Sequence, residues 1–215
     1  METLLFGPPG SGKGTQAADL ALRLAVPHVA TGDIFRKHLR GGTELGKLAR
    51  SYMDAGNLVP DSVTCDLVAS RLVEADALGG VLFDGFPRSV PQADWLVAWL
   101  ATSGRSVRAV ISLLVTDQSI IDRLSGRRTC TNCGATYHVV SAPPGEGNRC
   151  LKCGNAVEQR VDDHEETIRN RLATYQRETA PVLEVLRRSC VVHEIDGVGP
   201  IAIVQGRIRA ALGLA

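Results

Sequence analysis

Short apolar runs alternate along this chain with longer stretches of helical period. Leu4-Leu5-Phe6 is the first run, followed by Gly80-Val81-Leu82-Phe83, then Val107-Arg108-Ala109-Val110-Ile111-Ser112-Leu113-Leu114, then Val191-Val192-His193-Glu194-Ile195. Each is short and rich in β-branched or large apolar residues, as strands covered on both faces tend to be. Helical period runs through residues 16–25, 61–75, 91–100 and 118–124. Asp61 after Pro60 and Asp117 read as N-caps, and Pro91 falls in a first helical turn, where its missing N–H costs nothing. Strands alternating with helices in this way predict an α/β fold of three layers, a parallel sheet flanked by helices.

Residues 127–163 break the pattern. They hold four cysteines, Pro143-Pro144-Gly145 and scattered glycines without a long helical period, which reads as a small inserted module. A long helix is predicted over 163–188, kinked or broken before Pro181.

Composition narrows the class. A chain of 215 residues with 44% hydrophobic residues suits one domain with an insertion. With 24 Lys+Arg against 23 Asp+Glu it is near neutral, so no large polyanion is expected as its main partner. No apolar run reaches the 18 residues of a spanning helix. The first residues pass straight into a strand, leaving no room for a signal peptide, so a cytoplasmic location is expected. Six cysteines in a reducing compartment read as metal ligands or free thiols rather than disulfides.

The most specific chemistry follows the first strand. In Gly7-Pro8-Pro9-Gly10-Ser11-Gly12-Lys13-Gly14-Thr15 the glycines let the backbone turn sharply and come close to a ligand. Successive N–H groups and the next helix's positive end then face a nucleoside triphosphate, with Lys13 reaching its β/γ oxygens. Position 14 is glycine where a hydroxyl residue is usual, and the hydroxyl comes one residue later, at Thr15. A Mg²⁺ here therefore leans on phosphates, waters and a distant carboxylate. Asp84, at the carboxyl end of a strand beside the loop, is the candidate; the competing reading is an Asp that opens a tight turn before Gly85.

Arg36, Arg88, Arg123, Arg127, Arg160 and Arg171 fall where phosphates would be. Arg123 and Arg127 are four apart and share a face if their helix continues. A helix-dipole contact worth ~0.3–1 kcal/mol, or a solvated surface, would account for any one of them. Together with a phosphate loop they read as a clamp that neutralises transferring phosphoryl oxygens.

Cys130-x₂-Cys133 and Cys150-x₂-Cys153 have the spacing of a four-thiolate zinc site, with Gly134 and Gly154 letting backbone amides face the sulfurs. Four protein thiolates close the coordination sphere, so such a metal is structural. A nucleic-acid-binding ribbon is the other use of this pattern. Against it, Arg127, Arg128, Arg149, Lys152 and Arg160 are opposed by Glu146, Glu158, Asp162 and Asp163, so the module is not a basic patch. Cys65 and Cys190 read as small core residues.

The phosphate loop, Thr31-Gly32-Asp33-Ile34-Phe35-Arg36, Asp84-Gly85-Phe86-Pro87-Arg88 with Pro91-Gln92-Ala93, and Asp122-Arg123-Leu124-Ser125-Gly126-Arg127-Arg128 resemble the adenylate kinase family. The cysteine insert, Arg160-Val161-Asp162-Asp163 and Ile195-Asp196-Gly197 extend the resemblance over essentially the whole chain, to the long form whose lid carries zinc. It implies a P-loop fold with a core (1–29, 60–126, 164–215), a helical AMP-binding flap (30–59) and a zinc-binding lid (127–163). It implies reversible transfer from ATP to AMP giving two ADP, with Mg²⁺, in adenine nucleotide balance and salvage, by a monomer that needs neither nucleic acid nor membrane.

On that resemblance Gly10, Ser11, Gly12, Lys13, Gly14 and Thr15 hold ATP phosphates. Arg127, Thr136 and Tyr137 lie over ATP, and Gly199 meets its base. Thr31, Arg36, Asn57, Leu58, Val59, Gly85, Phe86, Pro87, Arg88 and Gln92 form the AMP site, with Arg160 and Arg171. Arg88, Arg123, Arg160 and Arg171 gather at the phosphates, and Asp162 and Asp163 fasten the lid. Thr31 and Gln92 independently suit an adenine edge; glycines and prolines suit a mobile lid that excludes water. Zinc would hold together a lid too small for its own core. Position 57 is Asn where lysine is common, and position 199 is Gly where some members have lysine. The alternatives are a kinase for another nucleoside monophosphate, UMP or CMP, and a P-loop zinc-ribbon protein that binds nucleic acid or acts as a switch.

Overall fold

The computed structural model describes residues 2–214. In chain order its elements begin with β1 (Glu2–Phe6), α1 (Lys13–Leu24), β2 (His28–Ala30), α2 (Thr31–Arg40), α3 (Glu44–Asp54) and α4 (Asp61–Leu72). Next come β3 (Leu82–Asp84), α5 (Val90–Thr102), β4 (Val107–Leu114), α6 (Asp117–Ser125), β5 (Arg127–Cys130), β6 (Thr136–His138) and β7 (Val157–Glu158). The chain closes with α7 (Glu165–Thr174), α8 (Val182–Leu186), β8 (Val191–Asp196) and α9 (Ile201–Leu212).

Five strands form a parallel sheet in the order β2-β3-β1-β4-β8. Strand pleating sends alternate side chains to opposite faces. Leu4 and Phe6 of β1 join Phe83 and Val110 under α4, α5 and α8, packing against Val68, Leu96 and Leu186. Leu5 faces the other way with Leu82, Ile111 and Leu113, against Ala17 and Leu20 of α1 and Val204 and Ile208 of α9. Each large side chain fully buried here contributes about 1.5–3 kcal/mol relative to exposure. Both faces of the central strands β1, β3 and β4 are covered, which explains their apolar runs, whereas the edge strand β8 buries only Ile195 and carries His193 and Glu194. The three-layer expectation therefore holds.

The chain leaves β1 to one side for β2, returns to β3, and crosses over β1 to reach β4. Brought together beyond the carboxyl ends of these strands are the phosphate loop after β1, the Gly85–Arg88 turn after β3 and the start of the β8–α9 loop. That switch in winding direction is where open α/β sheets hold ligands.

Several local expectations are corrected. The cap of α6 is Thr116, whose hydroxyl accepts from the Ser119 N–H (3.4 Å), with Asp117 already inside the helix. Asp61 is likewise the first residue of α4, after an extended Pro60. α6 ends at Ser125 and Arg127 opens β5, so Arg123 and Arg127 do not share a helix face. The helix expected over 163–188 does break before Pro181, as anticipated, but its helical start is two residues later, at Glu165. A 3₁₀ turn over Val161–Asp163 precedes α7, and a π turn over Tyr175–Thr179 precedes Pro181. The Ala180 N–H donates to the Tyr175 carbonyl (2.8 Å), an i to i−5 bond that leads the chain into a residue with no N–H of its own.

The inserted module is a three-stranded antiparallel sheet, β6-β5-β7. Its buried apolar cluster is Cys130, Tyr137, Cys150 and Val157. So small an apolar cluster cannot hold a sheet by itself.

Candidate active site

The turn from β1 into α1 is set by its glycines. A Cβ on Gly10 would lie 2.8 Å from Leu124 Cγ, and Gly10 itself has φ +77°, so neither space nor backbone admits a side chain. The loop wraps Lys13, whose ammonium donates to the carbonyls of Gly7 (2.7 Å) and Pro8 (2.9 Å). Burial pushes the Lys13 ammonium down to about 8. Asp84 opposes that shift, whereas Arg88, Arg171 and Arg127 add to it.

Asp84 ends β3 with Oδ2 3.4 Å from His28 Nε2, though without hydrogen-bond alignment. The same oxygen lies 3.5 Å from where a Gly14 side chain would begin. A side chain at position 14 would therefore begin in ordinary contact with this carboxylate. Burial pushes Asp84 up, but His28, Lys13 and Arg88 outweigh it and hold the carboxyl below its ordinary range. An ionised carboxylate beside the phosphate loop fits a hydrated divalent cation.

The arginines converge from separate elements. Arg88 donates through Nε to the Gly85 carbonyl (2.7 Å), and Arg123 donates to Ser11 O (3.3 Å) and Gly197 O (3.1 Å). Arg160 donates to the Thr129 hydroxyl (2.9 Å), and Arg36 pairs with Asp33 (2.6 Å). Arg127 makes a two-pronged pair with the fully buried Asp163 (2.7 and 2.6 Å). Arg171 contacts the same carboxylate (3.2 Å) and Asp162 Oδ2 (3.0 Å). Burial, then neighbouring arginines, draw Arg88 down to about 10 and Arg160 down to about 9. Both remain cations at neutral pH.

Seven Lys and Arg side chains and three Asp carboxylates line one cleft of about 910 Å³, with Asp163 buried behind Arg127 and Arg171. Such an excess in a partly desolvated space calls for a polyanion. Gly10 to Thr15, Thr31, Asn57, Leu58, Val59, Gly85, Pro87, Gln92, Thr136, Tyr137 and Gly199 line the same cleft.

Phe86 does not. Its ring is 1% exposed and packs in the core, 5.7 Å from Phe83 and 6.0 Å from Trp95. The Gln92 amide is engaged on both ends: its Oε1 accepts from the Arg88 N–H (2.8 Å) and its Nε2 donates to Asp61 (2.7 Å). One N–H and one lone pair remain on that amide. The Thr31 hydroxyl donates to Gly85 O (2.8 Å). The Tyr137 hydroxyl points away from the cleft, to Cys150 Sγ (3.2 Å) and the Leu151 N–H (2.8 Å). Sequence reasoning missed His28, which lines the cleft beside Asp84; one histidine in a three-residue strand gives no periodic signal.

In the lid the sulfurs of Cys130, Cys133, Cys150 and Cys153 all lie within 4.8 Å of one another. The Cys130–Cys153 and Cys133–Cys150 pairs are 3.5 Å apart. Tetrahedral zinc with Zn–S of about 2.3 Å sets its ligands about 3.8 Å apart, so the donor set fits zinc. The Asn155 backbone and side chain pull the Cys153 thiol down to about 5. The Ala135 amide pulls on Cys133 too, but the neighbouring thiols and burial outweigh it and leave that thiol at about 11. Four crowded thiols cannot all ionise without a cation among them.

A glycine loop opening a helix at the switch point of a parallel sheet, facing a cation-lined cleft under a small lid, defines a P-loop phosphotransferase. The sequence model for adenylate kinase matches residues 5–191. Adenylate kinase of Caldanaerobacter subterraneus subsp. tengcongensis is 47% identical over 212 residues, covering 99% of this chain and 96% of the relative. That of Moorella thermoacetica is 47% identical over 213 residues, with 99% and 98% coverage. That of Acidothermus cellulolyticus is 48% identical over 212 residues, with 99% and 98% coverage. The chain belongs to the adenylate kinase family, and so to the ATP:AMP phosphotransferases.

Proposed function

We propose that this cleft carries the reaction ATP + AMP to two ADP with the division of labour set out below. The observation that supports it most is the excess of cations along a cleft with a phosphate loop at one end and the Thr31–Gly85–Gln92 pocket at the other.

On the donor side, backbone N–H groups of residues 10–15 and Lys13 take the triphosphate, Arg127 with Thr136 and Tyr137 covers it, and Gly199 lies against the base. On the acceptor side, Arg36 and Arg88 take the monophosphate. Thr31, residues 57–59, Gly85 to Pro87 and Gln92 enclose the nucleoside. Phe86 acts from the core, supporting the turn. Arg88, Arg123, Arg160 and Arg171 meet where the phosphoryl moves and stabilise charge on its equatorial oxygens, while position supplies the rest of the catalysis. Asp84 would hold the Mg²⁺ accompanying ATP, which when bound neutralises β- and γ-phosphate oxygens.

Residues 127–163 act as a lid and 30–59 as a flap that close over a core of 1–29, 60–126 and 164–215, keeping water from the phosphoryl. Zinc on the four cysteines gives the lid its fold. We place the enzyme in the cytoplasm as a monomer, without nucleic acid or membrane partner. Among the described residues no helix is long and apolar enough to cross a membrane.

ADP formation from Mg-ATP with AMP, UMP, CMP or GMP offered separately tests the acceptor. Rapid turnover with AMP alone is expected. Turnover with a pyrimidine monophosphate would keep the mechanism and move the specificity.

A further inference from the structure

The β8–α9 loop carries two glycines, Gly197 and Gly199, and lines the cleft with Pro200 and Ile201. Gly199 has φ +126°, and a Cβ built there would touch nothing within 4 Å. Gly199 brings no side chain to fix its own place; the Gly197 N–H donates to the Leu114 carbonyl (2.9 Å), and three consecutive carbonyls of the loop are held by guanidiniums. Arg123 donates to Gly197 O from the cleft side (3.1 Å). From α9, Arg207 Nη1 reaches Asp196 O and Val198 O (2.8 Å each) and the Asp196 carboxylate (2.9 Å). Asp196 in turn accepts from the Val198 N–H (2.9 Å), closing a small turn.

We propose that Arg207, which lies outside the cleft lining, is a positioning residue for the donor nucleotide, acting through the backbone of the Asp196–Gly199 loop. A base met by backbone groups is sensitive to where that backbone sits, and a glycine loop left unpinned samples many conformations that do not fit. Arg123 pins one carbonyl of the loop; Arg207 pins the two on either side of it. The inference rests on the donor-side reading of Gly199.

The test measures KM for ATP, KM for AMP, kcat and Tm in wild type, Arg207→Ala, Arg207→Lys and Gly199→Val. For Arg207→Ala an about 5-fold rise in KM for ATP is expected, which is about 1 kcal/mol of binding. KM for AMP and kcat should stay within about 2-fold of wild type. Arg207→Lys, which keeps a donor in reach of a carbonyl, should fall between. Equal rises in both KM values, or a fall in Tm with KM for ATP unchanged, would overturn the role of Arg207. If Gly199→Val raises KM for ATP while Arg207→Ala does not, Arg207 is excluded and the donor-side reading stands. If neither variant moves KM for ATP, both fall together.

Discussion

Lys13 is held by burial and by three neighbouring arginines at a pKa of about 8, so the nucleotide-free enzyme loses this cation as pH rises through that value. Because kcat/KM reports the free enzyme, kcat/KM for ATP should decline above about pH 8. Phosphate oxygens beside the ammonium raise its pKa in the complex, so the alkaline decline of kcat itself should begin higher. A pH series of both parameters checks this, and coincident declines would contradict it. Lys13→Met and Arg88→Ala should each lower kcat about 10³-fold, in the range found for removing one preorganised charge-stabilising donor, with melting retained. Lys13 and Arg88 were legible in the sequence because glycine spacing and the Asp84-to-Arg88 run fix them relative to a strand end. Phe86 was not, since adjacent residues in one motif turn to opposite sides and only packing says which. Nor was the engagement of Gln92, whose partners Arg88 and Asp61 lie on different elements.

Between α2 and α3 the contact is closest at Gly46, where a Cβ would lie 2.3 Å from the His38 carbonyl and 2.6 Å from the Leu39 nitrogen. Backbone atoms cannot swing aside, so Gly46→Ala should destabilise this helix pair by about 2–3 kcal/mol. It should raise KM for AMP more than KM for ATP, which steady-state kinetics will measure. In the lid, Cys130→Ser should lower bound zinc and the melting temperature and slow turnover; unchanged metal content would refute the site. Elements with strong periodicity or glycine–cysteine punctuation were readable, among them β4, α1 and the cysteine knuckles. β2 escaped because three residues carry no period. The strands of the cysteine module escaped because they are two to four residues long and joined through the cysteine turns rather than marked by alternation. α9 was passed over although Val204 and Ile208 mark its buried face.

Across the whole molecule, Asp163 joins parts far apart in sequence: Arg127 at the start of the lid and Arg171 on α7 share its carboxylate. Removing it takes the two-pronged partner from Arg127 and leaves Arg171 only its contact with Asp162 (3.0 Å). Asp163→Ala should therefore lose about 3 kcal/mol, seen as a melting point lower by roughly 6–12 °C in a chain of this size. That the sheet is parallel and covered by helices follows from the alternation of apolar runs and helices, but neither the strand order nor this shared carboxylate does. Two adjacent aspartates in a sequence say nothing of which will be buried and which will face the cleft.

Seven cations outnumber the three lining carboxylates and the buried Asp163 and repel one another until phosphates arrive, so the folded chain is weaker when nucleotide is scarce. A nucleotide at a hundred times its Kd adds about 2.7 kcal/mol to the folded state, or roughly 5–11 °C in melting. The fraction of molecules open to proteases falls by the same factor of about a hundred. The lifetime of this enzyme in a cell is thereby tied to the adenylate supply it turns over, and starvation would clear the idle copies first.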